Sequence, residues 1–322
     1  MNKYKKIYGV DISKDSFDVG DNEGNHDQYG NEAKGFLKFK KLLDADSLVV
    51  MEATGYYHYS LAQFLSASSI PCSVVNPLSV KRFVQMKLAK VKTDKADAAA
   101  ICAYAQVTEL SMYSALKDTQ AECLQIYSLL EHYEKKRTAI KNKLHGEKTL
   151  GKPSKAVYQS LNRVLKVLKV EITLLEQQLV ELVKQEHSSQ LKLLKSIPGI
   201  GIKTALFLIV VTNGFSKFET ASQLCSYAGI TPTERRSGTS IRGRSRISKV
   251  GNKRLRHLLF MCSFSACKYN LACNTQFKRI VAKGKSEKLA LLAVSNKLLR
   301  QSFAIVKSGI PYDASYCSTL IS

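Results

Sequence analysis

Residues 6–24 read KIYGVDISKDSFDVGDNEG, and how this stretch folds decides the architecture of the first third of the chain. Ile7 to Ile12 is a β-rich run with Asp11 near its end. Ser16 to Val19 is a second run, and Asp21-Asn22-Glu23-Gly24 supplies turn residues behind it. Two such runs joined by a tight turn predict a hairpin. Outward from it, GFLKFKKLL (35–43) reads as an amphipathic helix and SLVVMEAT (47–54) as a buried strand. YYHYSLAQFLSAS (56–68) reads as a second helix and IPCSVVNP (70–77) as a further strand. Strands alternating with helices after an initial hairpin predict an α/β domain with a mixed sheet.

Glu52 ends the apolar run Ser47 to Met51 and precedes Ala-Thr-Gly. A carboxylate at the end of a buried strand is costly unless it is paired or binds a cation. Candidate partners lie nearby in this reading. Asp11 sits near the end of the first strand. Thr93 is an N-cap for an Ala-rich helix whose first position is Asp94, and Asp94 and Asp97, three apart, share one face of it. In a ribonuclease-H-like sheet the first strand and a later strand lie side by side, with a following helix across their ends, which would gather all four acids. Four carboxylates in one place need a counter-charge. Hard divalent cations supply it, and Mg²⁺ suits oxygen ligands combined with phosphate. Two such ions flanking a phosphate stabilise both the attacking and the leaving oxygen. Asp15 and Asp18 read as decoys, and Asp97 also fits a solvated helix position.

The formal net charge of the 322-residue chain is +23. It is not spread evenly: residues 1–110 hold 14 Lys/Arg against 13 Asp/Glu, and residues 111–322 hold 35 against 13. A neutral first part joined to a strongly basic remainder points to a polyanionic partner, nucleic acid before membrane. The eight cysteines form no Cys-x-x-Cys pair, the histidines show no zinc-ligand spacing, and no apolar run of roughly 18 residues appears. These features predict a reduced, cytoplasmic protein.

From about 115 to 190 the pattern is helical, with a break at HGEKTLGKPS (145–154). Leu161, Leu165, Leu168, Ile172, Leu175, Leu179 and Leu182 step by alternating fours and threes, a coiled-coil seam. It can pair within the chain or between subunits. SIPGIGIKTALFLI (196–209) follows, and its Pro198, Gly199 and Gly201 resemble the helix-hairpin-helix signature, where Gly199 and Gly201 would bring backbone N–H groups to a phosphate. The most basic stretch is 231–256, TPTERRSGTSIRGRSRISKVGNKRLR, with nine Lys/Arg and one Glu. Arg235, Arg236, Arg242, Arg244, Arg246, Lys249, Lys253 and Arg254 are its expected phosphate contacts. Ser248 is the expected cap of the helix that begins there.

Taken together, YGVDISKDSFDV, MEATGYY, VKTDKADA, IPGIGIKTA, YAGITPTERRSG and RISKVGNKRLR, in this order, resemble the insertion-sequence 110 family of transposases, including the Piv-type invertases. The resemblance covers nearly the whole chain. It implies a RuvC-like catalytic domain over 1–115, a coiled-coil region over 116–190 and a transposase domain over 191–322. It implies a DEDD set of Asp11, Glu52, Asp94 and Asp97. It also implies a nucleophilic serine in the Ser-Gly step, here Ser237, and a noncoding bridge RNA that pairs with donor and target DNA. Arg235 and Arg236 beside Ser237 suit a held phosphate, and Gly238 gives the backbone room. The resulting expectation is a recombinase working through a phosphoserine–DNA link as a dimer or a dimer of dimers, with the 161–182 seam as a candidate contact. Its rival is a RuvC-like junction nuclease that uses metal-activated water. A non-catalytic architectural protein is the third reading.

Overall fold

The computed structural model describes residues 4–53, 55–88, 93–151, 154–233, 236–237, 241–242 and 246–315; of 236–237 and 241–242 it describes the backbone alone. The chain forms two compact units, Met1–Leu116 and Lys117–Ser322.

The first unit is a mixed sheet between helices. Its elements are β1 (Lys6–Ile12), β2 (Ser16–Asp21), β3 (His26–Gly30), α1 (Ala33–Lys40), β4 (Ser47–Glu52), α2 (His58–Ala67), β5 (Cys72–Val75), α3 (Pro77–Met86) and α4 (Asp94–Val107). The strand order is β3-β2-β1-β4-β5. β1, β2 and β3 form an antiparallel meander, while β4 runs parallel to β1 and β5 parallel to β4. β4 is buried along its length, which is why it reads as an unbroken apolar run. One sheet face, with Val10, Phe17, Val19 and Met51, packs on Phe36, Phe39, Leu61 and Leu65 of α1 and α2. The other, with Ile7, Leu48 and Val50, packs on Ile101, Cys102 and Ala105 of α4.

Sequence reasoning finds β1, β2, β4, β5, α1, α2 and α4 but misses β3 and α3. β3 is the polar edge strand His26-Asp27-Gln28-Tyr29-Gly30, which has no apolar alternation to betray it. α3 starts on Pro77 directly after a strand, with Asn76 accepting from the Leu78 N–H at 2.9 Å.

Gly9 is where α4 comes down on β1. A Cβ there would fall on the backbone of Ala98 and Cys102. Because backbone on both sides must give way, Gly9→Ala is expected to cost about 3 kcal/mol, the upper range for overpacking. A denaturant titration of the N-terminal unit checks it, and an unchanged midpoint would contradict this seating of α4.

The second unit is mainly helical: α5 (Asp118–Thr149), α6 (Lys155–Lys195), α7 (Ile202–Thr212), α8 (Ala221–Ala228), α9 (Lys253–Tyr269), α10 (Leu271–Ala282) and α11 (Glu287–Ser308). Between α8 and α9 the described residues include the short strands β6 (Pro232–Thr233), β7 (Arg236–Ser237), β8 (Ile241–Arg242) and β9 (Arg246–Ile247). β6 pairs antiparallel with β9, and β7 with β8. α5 and α6 run antiparallel: Gln178 donates to Glu122 at 3.1 Å, and the Lys148 ammonium lies 5.5 Å from the centre of the Tyr158 ring. The C-terminal part of the leucine seam is therefore spent inside the chain. Ile172, Leu175, Leu179 and Leu182 share a core with Cys123, Ile126 and Leu130 of α5, and Ile172 and Leu179 are buried there. Ile172 and Leu179, buried there, are not free to meet a second copy. α9 is capped by Asn252, which accepts from the Leu255 N–H at 2.9 Å; Ser248 lies too far upstream to do so. α11 is long and apolar enough to cross a membrane by length and composition, but Val294, Leu298 and Leu299 belong to the buried core.

Candidate active site

The parallel pairing of β1 and β4 runs in register as far as Val10 and Met51. The next residue on each strand is an acid, Asp11 and Glu52. Side chains alternate along a strand, and Val10 and Met51 enter the core beneath α1 and α2. Asp11 and Glu52 therefore stand on the opposite face, the one that α4 covers. Gly9 and Gly20, both under Ala98 of α4, fix the crossing point. On the same helix Asp97 directly precedes Ala98, and Asp94 lies about one turn earlier. Thr93 makes that start definite: its hydroxyl accepts from the Ala96 N–H at 3.1 Å, and its carbonyl accepts from the Asp97 N–H at 2.8 Å.

The electrostatics agree with this placement. Burial, then the charges of Asp97, Asp94 and Asp18, push the Asp11 carboxyl above the ordinary aspartate range, against a hydrogen bond from the Ile12 backbone that lowers it. Asp18, set aside as a decoy in the sequence, is the cross-strand partner of Asp11 and is buried. It accepts from His26 Nε2 at 2.8 Å and Gln28 Nε2 at 3.1 Å, both on β3. Alternation with Phe17 and Val19 puts Asp18 on the face of Gly20, but its burial and its His26 and Gln28 partners only emerge with β3, which the sequence did not reveal.

The donor set suits a hard divalent cation, since it consists of carboxylate oxygens whose mutual repulsion a cation relieves. Asp11, Glu52, Asp94 and Asp97 are the residues that would hold it. Among the described residues, no three His, Cys, Asp or Glu side chains stand close enough together to hold a metal ion.

The basic stretch forms two small ladders. Arg236 faces Arg242 and Ser237 faces Ile241 across β7 and β8. The side chains of Arg236, Ser237 and Arg242, and all of Arg235, Gly238, Ser240, Arg244 and Ser245, lie outside the described residues. Arg246 pairs with Thr233, whose hydroxyl donates to the Arg246 carbonyl at 2.9 Å. Lys249 and Lys253 are exposed, whereas Arg254 is tied to Glu131 of α5 at 3.1 Å. Gly199 is held at φ +105 against α9, where a Cβ would lie 2.7 Å from that of Ala266, so packing alone demands glycine there. Gly201, the N-cap of α7, is exposed.

Comparison with known proteins gives a consistent result. A DEDD transposase model for IS110 elements matches residues 8–148, and the transposase model of the IS116/IS110/IS902 family matches residues 191–278. The chain is 30% identical to the pilin gene-inverting protein of Moraxella lacunata over 96% of its own length and 98% of that protein. It is 27% identical to the transposase for insertion sequence element IS1111A of Coxiella burnetii, over 79% of this chain and 76% of the relative.

Proposed function

Because this chain belongs to the IS116/IS110/IS902 family of transposases, we propose that its DNA recombination runs through a covalent phosphoserine–DNA intermediate on Ser237, with Asp11, Glu52, Asp94 and Asp97 as Mg²⁺ ligands. The observation that supports this reading is that Asp11 and Glu52 directly follow register partners on the neighbouring interior strands β1 and β4, while the charges of Asp97 and Asp94 at the start of α4 add to burial in raising the Asp11 carboxyl. The strand order, with a three-stranded meander followed by two parallel strands, supports a RuvC-like fold for the first unit. Bound Mg²⁺ ions, two in this reading, would neutralise the charge that builds on the phosphate in the transition state.

The remaining steps belong to the chain's own residues. The Ser237 hydroxyl oxygen forms a bond to phosphorus, its proton passes to a base, and the DNA oxygen leaves and takes up a proton. One phosphoester replaces another, so rejoining needs no external energy. The arginines around Ser237 hold the phosphate in line. The division into 1–115, 116–190 and 191–322 is kept as a functional one: acids, helical spacer and serine-bearing transposase part. Two DNA duplexes require at least two such sites, hence a dimer or a dimer of dimers. Sequence choice is assigned to a noncoding bridge RNA on the family resemblance, with which the lack of a helix-turn-helix or zinc-finger pattern in the sequence is consistent.

The test uses the full-length protein with its copurified RNA and DNA carrying both recombination sites. A protein–DNA adduct that survives denaturation, and that disappears after ribonuclease treatment of the protein, is the expected result. Cleavage without any adduct would favour the junction nuclease, and site-specific recombination by RNA-free protein would remove the guide.

A further inference from the structure

Charge divides sharply along the paired helices α5 and α6. The inner segments, 118–134 and 171–195, carry three Lys/Arg and eight Asp/Glu, whereas residues 135–170 carry eleven Lys/Arg and one Glu. Since the helices are antiparallel, residues 135–149 of α5 run beside 155–170 of α6, and both cationic segments share one end of the pair. Each is roughly 22 Å long at ~1.5 Å per residue. Lys135, Lys136, Lys141, Arg163, Lys166 and Lys169 are exposed there. The acids of the region are taken by others, Arg137 with Glu134 and Lys143 with Glu147, and none of those six cations has an acidic partner among the described residues.

A lysine surface kept for solubility is mixed with acids along its length. This one is segregated, and segregation builds a local field that draws polyanions. Its chemistry suits a duplex rather than a single strand. Single strands are held by stacking on aromatic rings, and the segment has one aromatic residue, Tyr158, already under Lys148. Helices also present these cations sideways, which fits phosphates and not base edges.

We propose that the outer half of the α5–α6 pair is an arm that lies along the phosphate backbone of duplex DNA, a second contact surface besides the basic stretch at 231–256. It rests on the family's action on DNA but not on Ser237 or the acidic site. The test measures binding of the full-length protein to a duplex of unrelated sequence across a salt series. K135Q/K136Q/K141Q/R163Q/K166Q/K169Q is compared with wild type and with each triple variant. Glutamine keeps helix propensity, and circular dichroism confirms helix content.

Each phosphate contact contributes ~0.9 to the slope of log affinity against log salt, so the sextuple variant should flatten the slope by roughly 3 to 5 and weaken binding about a hundred-fold at moderate salt. Each triple should do about half of this, which keeps the test decisive if the sextuple is unstable. Ser237→Ala, expected to keep the wild-type slope, separates failure of the arm from failure of the catalytic reading. An unchanged slope overturns the arm. So does an effect confined to a structured RNA probe, which would assign the arm to RNA. A changed oligomeric mass with unmoved slope, pointing to the exposed Val164, Val167 and Val170, overturns it as well.

Discussion

Asp11→Asn is expected to abolish strand cleavage, by on the order of a thousand-fold or more, and at the same time to make the N-terminal unit more stable. The two effects have one cause. Asp11 stands half-buried on β1, with its carboxyl raised by burial first and by Asp97, Asp94 and Asp18 after that. A raised folded value means that the ionised form is the disfavoured one. Stability is greater while the group is protonated and falls as pH rises from the ordinary aspartate range through the raised value. At neutral pH the charge is thus a burden on the fold, and a neutral isostere removes it. A residue kept for structure would behave in the opposite way, since its loss costs stability. Chemical denaturation without divalent cations reads the gain. Titrating Mg²⁺ reads the function: wild type should be stabilised as the ion binds the folded state, and Asp11→Asn should respond much less. Glu52→Ala and Asp94→Ala should lose cleavage to the same degree, with binding of DNA retained. Ca²⁺, which prefers larger and looser coordination, should replace Mg²⁺ less well than Mn²⁺ does. Full activity in any one of these variants would end the assignment of the acids.

What could be read in advance follows the physics of each element. β1, β4 and α4 were legible because burial wrote an apolar run, and because Thr93 at an N-cap leaves a local signature. Once the two strands are neighbours, the period of two puts Asp11 and Glu52 on one face, and that too needs only sequence. β3 was not legible, since an edge strand is under pressure to be polar, and losing β3 meant losing Asp18, whose burial depends on His26 and Gln28. The leucine seam showed that α6 is packed, but not against what. Its partner, α5, buries only Gln120, Cys123, Ile126 and Leu130; this short stripe gives no sustained heptad. Ser248 and Asn252 are both good caps by type, and only the position of the first helical turn decides between them. Gly199 drew attention as a phosphate contact, yet its positive φ and the approach of α9 require glycine without any ligand.

Ser237→Ala is expected to lose all cleavage and all covalent adduct while nucleic-acid binding stays as in wild type. Removing the attacking atom leaves no slower version of the same step, so the loss should reach the limit of detection rather than a fixed factor. The residue sits at the end of β7, paired with Ile241 of β8 and followed by Gly238. Ser240→Ala and Ser245→Ala are the controls, and both should retain activity. A serine hydroxyl is a weak nucleophile unless a base or a cation activates it, and the proposed mechanism assigns that activation to the acids and the ions they would hold. Mixing Ser237→Ala protein with Asp11→Asn protein asks how many chains supply them: recovered cleavage requires a site completed by two copies, and continued inactivity places both sets of residues on one chain. If Ser237→Ala still forms the adduct, the nucleophile lies elsewhere in the basic stretch, and Ser245, flanked by Arg244 and Arg246, is the next residue to replace.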